Sequence, residues 1–151
     1  MAQVPGIRTS FRNNTAQVVT SSIVLVDITD MILPAKALAR YHISGCLAFS
    51  TGATGGCRFQ LTGPAGTTNY NCGFWLYNGA AGTLVTAGDQ VVAANVANAL
   101  AAAGNHLFQF ELDFENGVTA GNLRPQFAQN TSDALSITIL EGSFMNVVQL
   151  S

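Results

Sequence analysis

The chain has 151 residues, of which only six are Lys or Arg and eight Asp or Glu, giving a formal net charge of −2. That length is one domain, able to bury roughly 68–70% of its unfolded surface with no metal or disulfide staple. With no basic patch for phosphates, no apolar run near the ~20 residues of a membrane span and no apolar leader core in residues 1–8, nucleic-acid binding and membrane insertion are not expected, and assembly in a cytosol is.

Residues 1–17 are polar, contain Pro5 and Gly6, and carry Arg8, Phe11 and Arg12. They are expected to form an extended N-terminal arm ahead of a domain over residues 18–151, the alternative being a disordered terminus. Residues 22–28 hold Ile23, Val24, Leu25, Val26 and Ile28, a β-branched strand. Tyr41, Ile43, Leu47 and Phe49 alternate with His42, Ser44, Cys46 and Ser50, which predicts a second strand. A glycine-rich loop over 51–56 follows, then Arg58-Phe59-Gln60-Leu61 alternates again, and Gly63-Pro64-Ala65-Gly66 is turn chemistry.

Phe74 and Leu76, with Cys72, are expected on one face of the next strand, and Trp75 and Tyr77 on the other; Asn78-Gly79 ends it. A short strand over 84–86 follows. Residues 89–103 have valine and leucine at helical spacing, but strand plus loop fits their neighbours better. Phe108, Phe110, Leu112 and Phe114 then alternate with Gln109, Glu111, Asp113 and Glu115, one strand with a buried face and a wet face. Leu123, Pro125 and Phe127 read as a further strand, where proline implies an edge or a bulge. Leu135, Ile137 and Ile139 form another, Glu141-Gly142 turns, and Phe144, Asn146, Val148 and Leu150 close the chain.

Eight or nine short strands with turn signals between them predict an all-β, antiparallel two-sheet sandwich, jelly-roll-like at this length. The charged fraction of 9% is far below the ~25% of ordinary soluble domains. Solubility normally rests on a charged, mixed surface, so much of this surface is expected to be covered by partners. The alternative is a surface of neutral polar side chains, which the chain also has.

Little in the sequence suggests catalysis. Cys46, Cys57 and Cys72 are odd in number, with no C-x-x-C spacing, and read as small apolar side chains; no metal or cofactor is expected. Glu111, Asp113 and Glu115 share one strand face roughly 7 Å apart, and a flat ladder does not converge on an ion. His42 has the parity of an outward residue. His106 begins the acidic strand, and both are expected as surface or interface groups rather than bases. Trp75 and Tyr77 are a candidate subunit interface, with two other readings open: core under the opposite parity, or a platform for stacking on a sugar.

Three segments carry a resemblance. Arg58-Phe59-Gln60-Leu61-Thr62-Gly63-Pro64-Ala65-Gly66, the hairpin Phe114-Glu115-Asn116-Gly117-Val118-Thr119-Ala120-Gly121, and Phe127-Ala128-Gln129-Asn130-Thr131-Ser132-Asp133-Ala134 followed by Glu141-Gly142-Ser143-Phe144 resemble motifs of small bacteriophage virion proteins. The similarity runs from about residue 18 to the end. It is weakest at the three cysteines and the alanine-rich stretch 91–103. The resemblance implies a jelly-roll domain that trimerises and acts as a head-decoration (cement) protein or as a piece of a tail fibre. On that basis the expected role is a non-enzymatic homotrimer on the outer capsid surface that clamps the major capsid protein. Arg8, Phe11 and Arg12 would be the capsid anchor; Trp75, Tyr77 and His42 would form the subunit interface. The alternative is a tail-tip module that binds a host-surface glycan.

Overall fold

The computed structural model describes residues 6–65, 69–79, 83–90, 96–98 and 103–151, with only the backbone described at 69–72, 83, 85–90 and 96–98. Among these, thirteen strands run in chain order: β1 (Arg8–Arg12), β2 (Gln17–Val19), β3 (Val26–Asp27), β4 (Leu33–Ala35), β5 (Arg40–Thr51), β6 (Cys57–Thr62), β7 (Asn69–Asn78), β8 (Thr83–Gln90), β9 (Val96–Asn98), β10 (Gly104–Glu115), β11 (Gly121–Ala128), β12 (Ile137–Ile139) and β13 (Phe144–Gln149). They form two antiparallel sheets. The larger has the order β1-β13-β5-β10-β7-β8, with β12 joining β5 and β2; the smaller has the order β3-β11-β6-β9, with β4 on β11.

The all-β two-sheet class is therefore as the alternation predicted, but the strands are more numerous and some are shorter. Residues 22–28 are not one strand. Only Val26 and Asp27 pair, with Phe127 and Gln126, while Ile23 and Val24 are 49% and 68% exposed. Ser22 accepts a hydrogen bond from the Val24 amide through its own hydroxyl, a local turn that outcompetes β-branched propensity at a sheet margin. Leu135 likewise lies outside β12 and is exposed.

Pro125 was expected at an edge or a bulge, yet β11 is an interior strand. On one side it is paired by β6; on the other its partners are split, with β4 taking residues 121–123 and β3 taking 126–127. Pro125 falls in the break between them. Its carbonyl still accepts a bond from the Ile28 amide at 2.9 Å. Of the stretch 89–103, residues 96–98 form β9 as a strand; 91–95 and 99–102 lie outside the described residues.

β5 and β10 are the spine. Each is twelve residues long, and they pair in register from Gly104 opposite Thr51 to Glu115 opposite Arg40. Every second residue of β10 is buried from His106 to Phe114. Phe108, Phe110, Leu112 and Phe114 thus face the smaller sheet with Tyr41, Ile43, Leu47 and Phe49 of β5. The layers interlock through Phe59 of β6, which stacks on Phe108 at 4.5 Å and meets Phe49 edge-on at 4.9 Å. Gly45 is the one gap in the β5 inner row. The Phe110 ring fills it, its tip standing where a β-carbon on Gly45 would sit.

Residues 8–12, expected within the arm, are the edge strand β1 of the large sheet, paired with β13. The connection to β2 is pinned by Asn13, buried and bonded through its backbone to Ser143 and Gly142 and through its side-chain amide to the Leu140 carbonyl.

Candidate functional site

The registers of β1, β13, β5, β10 and β7 fix which side chains share the outer face of the large sheet. One row runs Arg12, Phe144, Cys46, Gln109, Trp75; the next Ser10, Asn146, Ser44, Glu111, Gly73; a third Arg8, Val148, His42, Asp113. Past the other side of the first row, Ala48, Leu107, Tyr77 and Leu84 align across β5, β10, β7 and β8. Phe144, Leu107 and Leu84 are 39%, 40% and 51% exposed. This face therefore carries an apolar band that the core does not use. A shallow hollow of about 430 Å³ lies within it, lined by Ala48, Leu107, Leu140, Asn105 and Gly79 among others.

Trp75 and Tyr77 lie half-exposed on this face, while Phe74 and Leu76 are buried beneath. The outer edge of the Trp75 indole reaches 3.1 Å from where a Gly73 β-carbon would stand, so the ring is folded along the strand over Gly73. His42 also points outward. Its Nδ1 is 2.9 Å from Asp113 Oδ1 and its Nε2 is 3.4 Å from Glu111 Oε1. A ring nitrogen donates only when it carries hydrogen, so satisfying both carboxylates requires the imidazolium form. The two acids approach opposite ring nitrogens, so one ion could not be ligated by all three groups. At the end of the ladder, Arg40 Nε lies 3.8 Å from Glu115.

His106 is a correction. It is 1% exposed, on the inner face beside Phe49 at 5.3 Å between ring centroids, not a surface group. Its parity with Phe108 places it there, and its polar identity hid that in the sequence. Phe11 turns inward and packs partly buried against the core, whereas Arg8 and Arg12 are exposed. Cys57 is fully buried, and burial pushes its thiol up to about 12. Cys46 is raised by its partial burial, opposed by a hydrogen bond with Gln109. Only the backbone of Cys72 is described. Maleimide is therefore expected to leave Cys57 unlabelled in the native protein and to label it on denaturation, read by peptide mapping.

The outer face of the small sheet differs in kind. Arg124 Nη1 donates to Asp27 at 2.8 Å, Gln126 Nε2 donates to Asp27 at 2.6 Å, and the Thr62 hydroxyl donates to Gln126 at 2.7 Å. These groups pair with one another, although the buried Arg124 Nε has no partner among the described residues.

No family model matches the chain, and no curated protein sequence matches it. Among solved structures, a chain of infectious bursal disease virus Gx strain superposes with a TM-score of 0.31 at 10% identity, over 97% of this chain and 41% of that one. The VP2 subviral particle of infectious bursal disease virus gives 0.23 at 11% identity, over 95% and 39%. The chain thus spans about two fifths of the length of these viral chains. At such scores the likeness assigns nothing about function.

The motif residues behind the virion resemblance act as loop clasps. The Asn116 side-chain amide donates to the carbonyls of Lys36 and Thr119 at 2.8 and 3.0 Å, and its backbone amide to Ala39 at 2.9 Å. Gln129, 1% exposed, accepts from the amides of Ser22 and Asp133 and donates to the carbonyls of Asp133 and Leu135. Gln129→Ala would remove all four of these bonds from a part-buried loop and is expected to cost about 1–3 kcal/mol in a denaturant melt.

Asp133 accepts from the Thr54 hydroxyl and the Leu135 amide, which hold its carboxyl below the usual range. A folded pKa below the unfolded one contributes stability that is present above the unfolded value and lost as pH falls through the folded one. Protection of the Leu135 amide against hydrogen exchange should accordingly fall on acidification, and Asp133→Asn should weaken it already at neutral pH.

Proposed function

We propose that this chain is a structural protein of a bacteriophage virion, a head-decoration protein that forms a homotrimer through the outer face of its large sheet and seats on the major capsid protein. The observation that carries the reading is the contrast between the two outer faces. One is a polar ladder paired through Asp27; the other leaves Phe144, Leu107, Leu84, Trp75 and Tyr77 in contact with solvent in a chain that has few charges to keep it soluble. Aromatic residues concentrate at the centres of protein interfaces. The virion context comes from the motif resemblance and from the fit of an all-β sandwich with it. A ligand that binds only the assembled shell stabilises that shell by RT ln(1 + [L]/Kd), so the reading needs no catalytic chemistry.

Antibody raised against the purified chain and imaged on intact virions by negative stain tests this. Label over the head surface supports decoration, and its absence from every particle contradicts it. One observation favours a second reading, a tail-tip module for host glycans. The Trp75 indole lies over Gly73 beside the Glu111 carboxylate position, an arrangement that can stack on a sugar ring. Label confined to the tail tip, with glycan-array binding abolished by Trp75→Ala, would establish that reading instead.

A further inference from the structure

We propose that the arginine edge of the large sheet in one copy docks onto the acidic ladder of the next, so that copies associate head-to-tail through charge pairing around the apolar band. The inference rests on the self-association proposed above and names the surfaces that meet.

Three observations carry it. First, Arg8 and Arg12 stand exposed on the outer side of β1, at the rim of the sheet, and among the described residues neither forms an ion pair. Arg124 by contrast is paired with Asp27, and Arg40 with Glu115. Second, the acids Glu111 and Asp113, side chains 57% and 67% exposed, share a single imidazole between them on β10. The face therefore has two poles: unpaired positive charge at its rim and excess negative charge at its centre. β13 and β5 separate them, so β1 and β10 are three strand spacings apart, about 14 Å. That is too far for the poles to neutralise one another within a chain.

Third, the apolar residues Phe144, Cys46, Val148 and Trp75 lie between and beside the poles in the same rows. A partner that covers this band brings its own rim over the ladder. The face is six strands wide and twelve residues long at β10. Summed over strands of five to twelve residues, its projected area is on the order of 800 Å², matching the ~800 Å² per partner of a stable interface. A second copy of this chain supplies the matching charges, because each copy presents both poles. An edge-to-centre contact joins two different patches and so repeats from copy to copy; a rotation of a third of a turn at each contact closes it as the trimer proposed above.

A charge swap within one chain tests this. Arg8→Glu with Arg12→Glu makes the rim negative, and Glu111→Lys with Asp113→Lys makes the ladder positive. All four positions are exposed, and circular dichroism and thermal melting check that each variant folds. By light scattering over a concentration series, each double variant should dissociate at least tenfold more readily than the native protein. The quadruple variant, whose poles are both reversed, should reassociate to within a few-fold of native. High salt should weaken the native oligomer in the same direction. Oligomers undisturbed by either double variant, or a quadruple variant as weak as the doubles, would overturn the charge pairing while leaving self-association intact. A native protein monomeric at every concentration would instead remove the proposed self-association itself.

Discussion

Replacing Gly45 with valine is expected to lower folding stability by about 3 kcal/mol, a large fraction of the ~5–15 kcal/mol total of a domain. Gly45 faces the core in a strand whose other inward residues are Tyr41, Ile43, Leu47 and Phe49. Its cross-strand partner is Phe110, and the tip of that ring occupies the space a β-carbon would need. The ring is 2% exposed and flanked by Phe108 at 6.1 Å between centroids, so moving it aside disturbs a close-packed core. A double-mutant cycle isolates the cause. Phe110→Ala alone is expected to cost about 3–5 kcal/mol. Combined with Gly45→Val the two losses should fall well short of their sum, because valine then occupies space the ring vacated. Full additivity would mean the ring-over-glycine contact is not what the valine disturbs.

Phe59→Ala is the second large effect. Phe59 belongs to the small sheet, yet its ring stacks on Phe108 and meets Phe49 edge-on, both from the large sheet. Truncation removes a buried ring and both contacts, and is expected to cost about 3–5 kcal/mol in equilibrium urea unfolding. Phe59→Leu, which keeps much of the volume, should cost less than half as much. Equal losses for the two variants would contradict the inter-sheet aromatic contact as the source of the stability.

How much of this was legible in the sequence follows from what period-2 patterning can carry. It reads one strand at a time, and it read β10, β5, β6 and the inward pair Phe74 and Leu76 correctly because each has a dry and a wet face. It also put Trp75, Tyr77 and His42 on the outside. It failed where residue type and position disagree: His106 continues the buried series of Phe108 but is polar, and Leu107 continues the wet series but is apolar. Residues 22–28 have strand-forming composition without a strand's partners.

The candidate site was out of reach for a different reason. His42 is 71 residues from Asp113, and their meeting depends on the register between β5 and β10. Nothing within either strand encodes that register. The same holds for the row that brings Phe144 beside Cys46 and Trp75, and for the distance between the arginine rim and the acidic ladder. Asn116 and Gln129 stood inside motifs recognised in the sequence, but only the hydrogen bonds reveal them as clasps that hold loops.

The most direct test of the central claim is the solution mass of the purified protein by size exclusion with light scattering. The chain is 15.8 kDa, and the account predicts a particle of three times that mass, its few charges made tolerable by a covered sheet face. A monomer that persists at high concentration, with Trp75 fluorescence of a solvent-exposed indole, would contradict it.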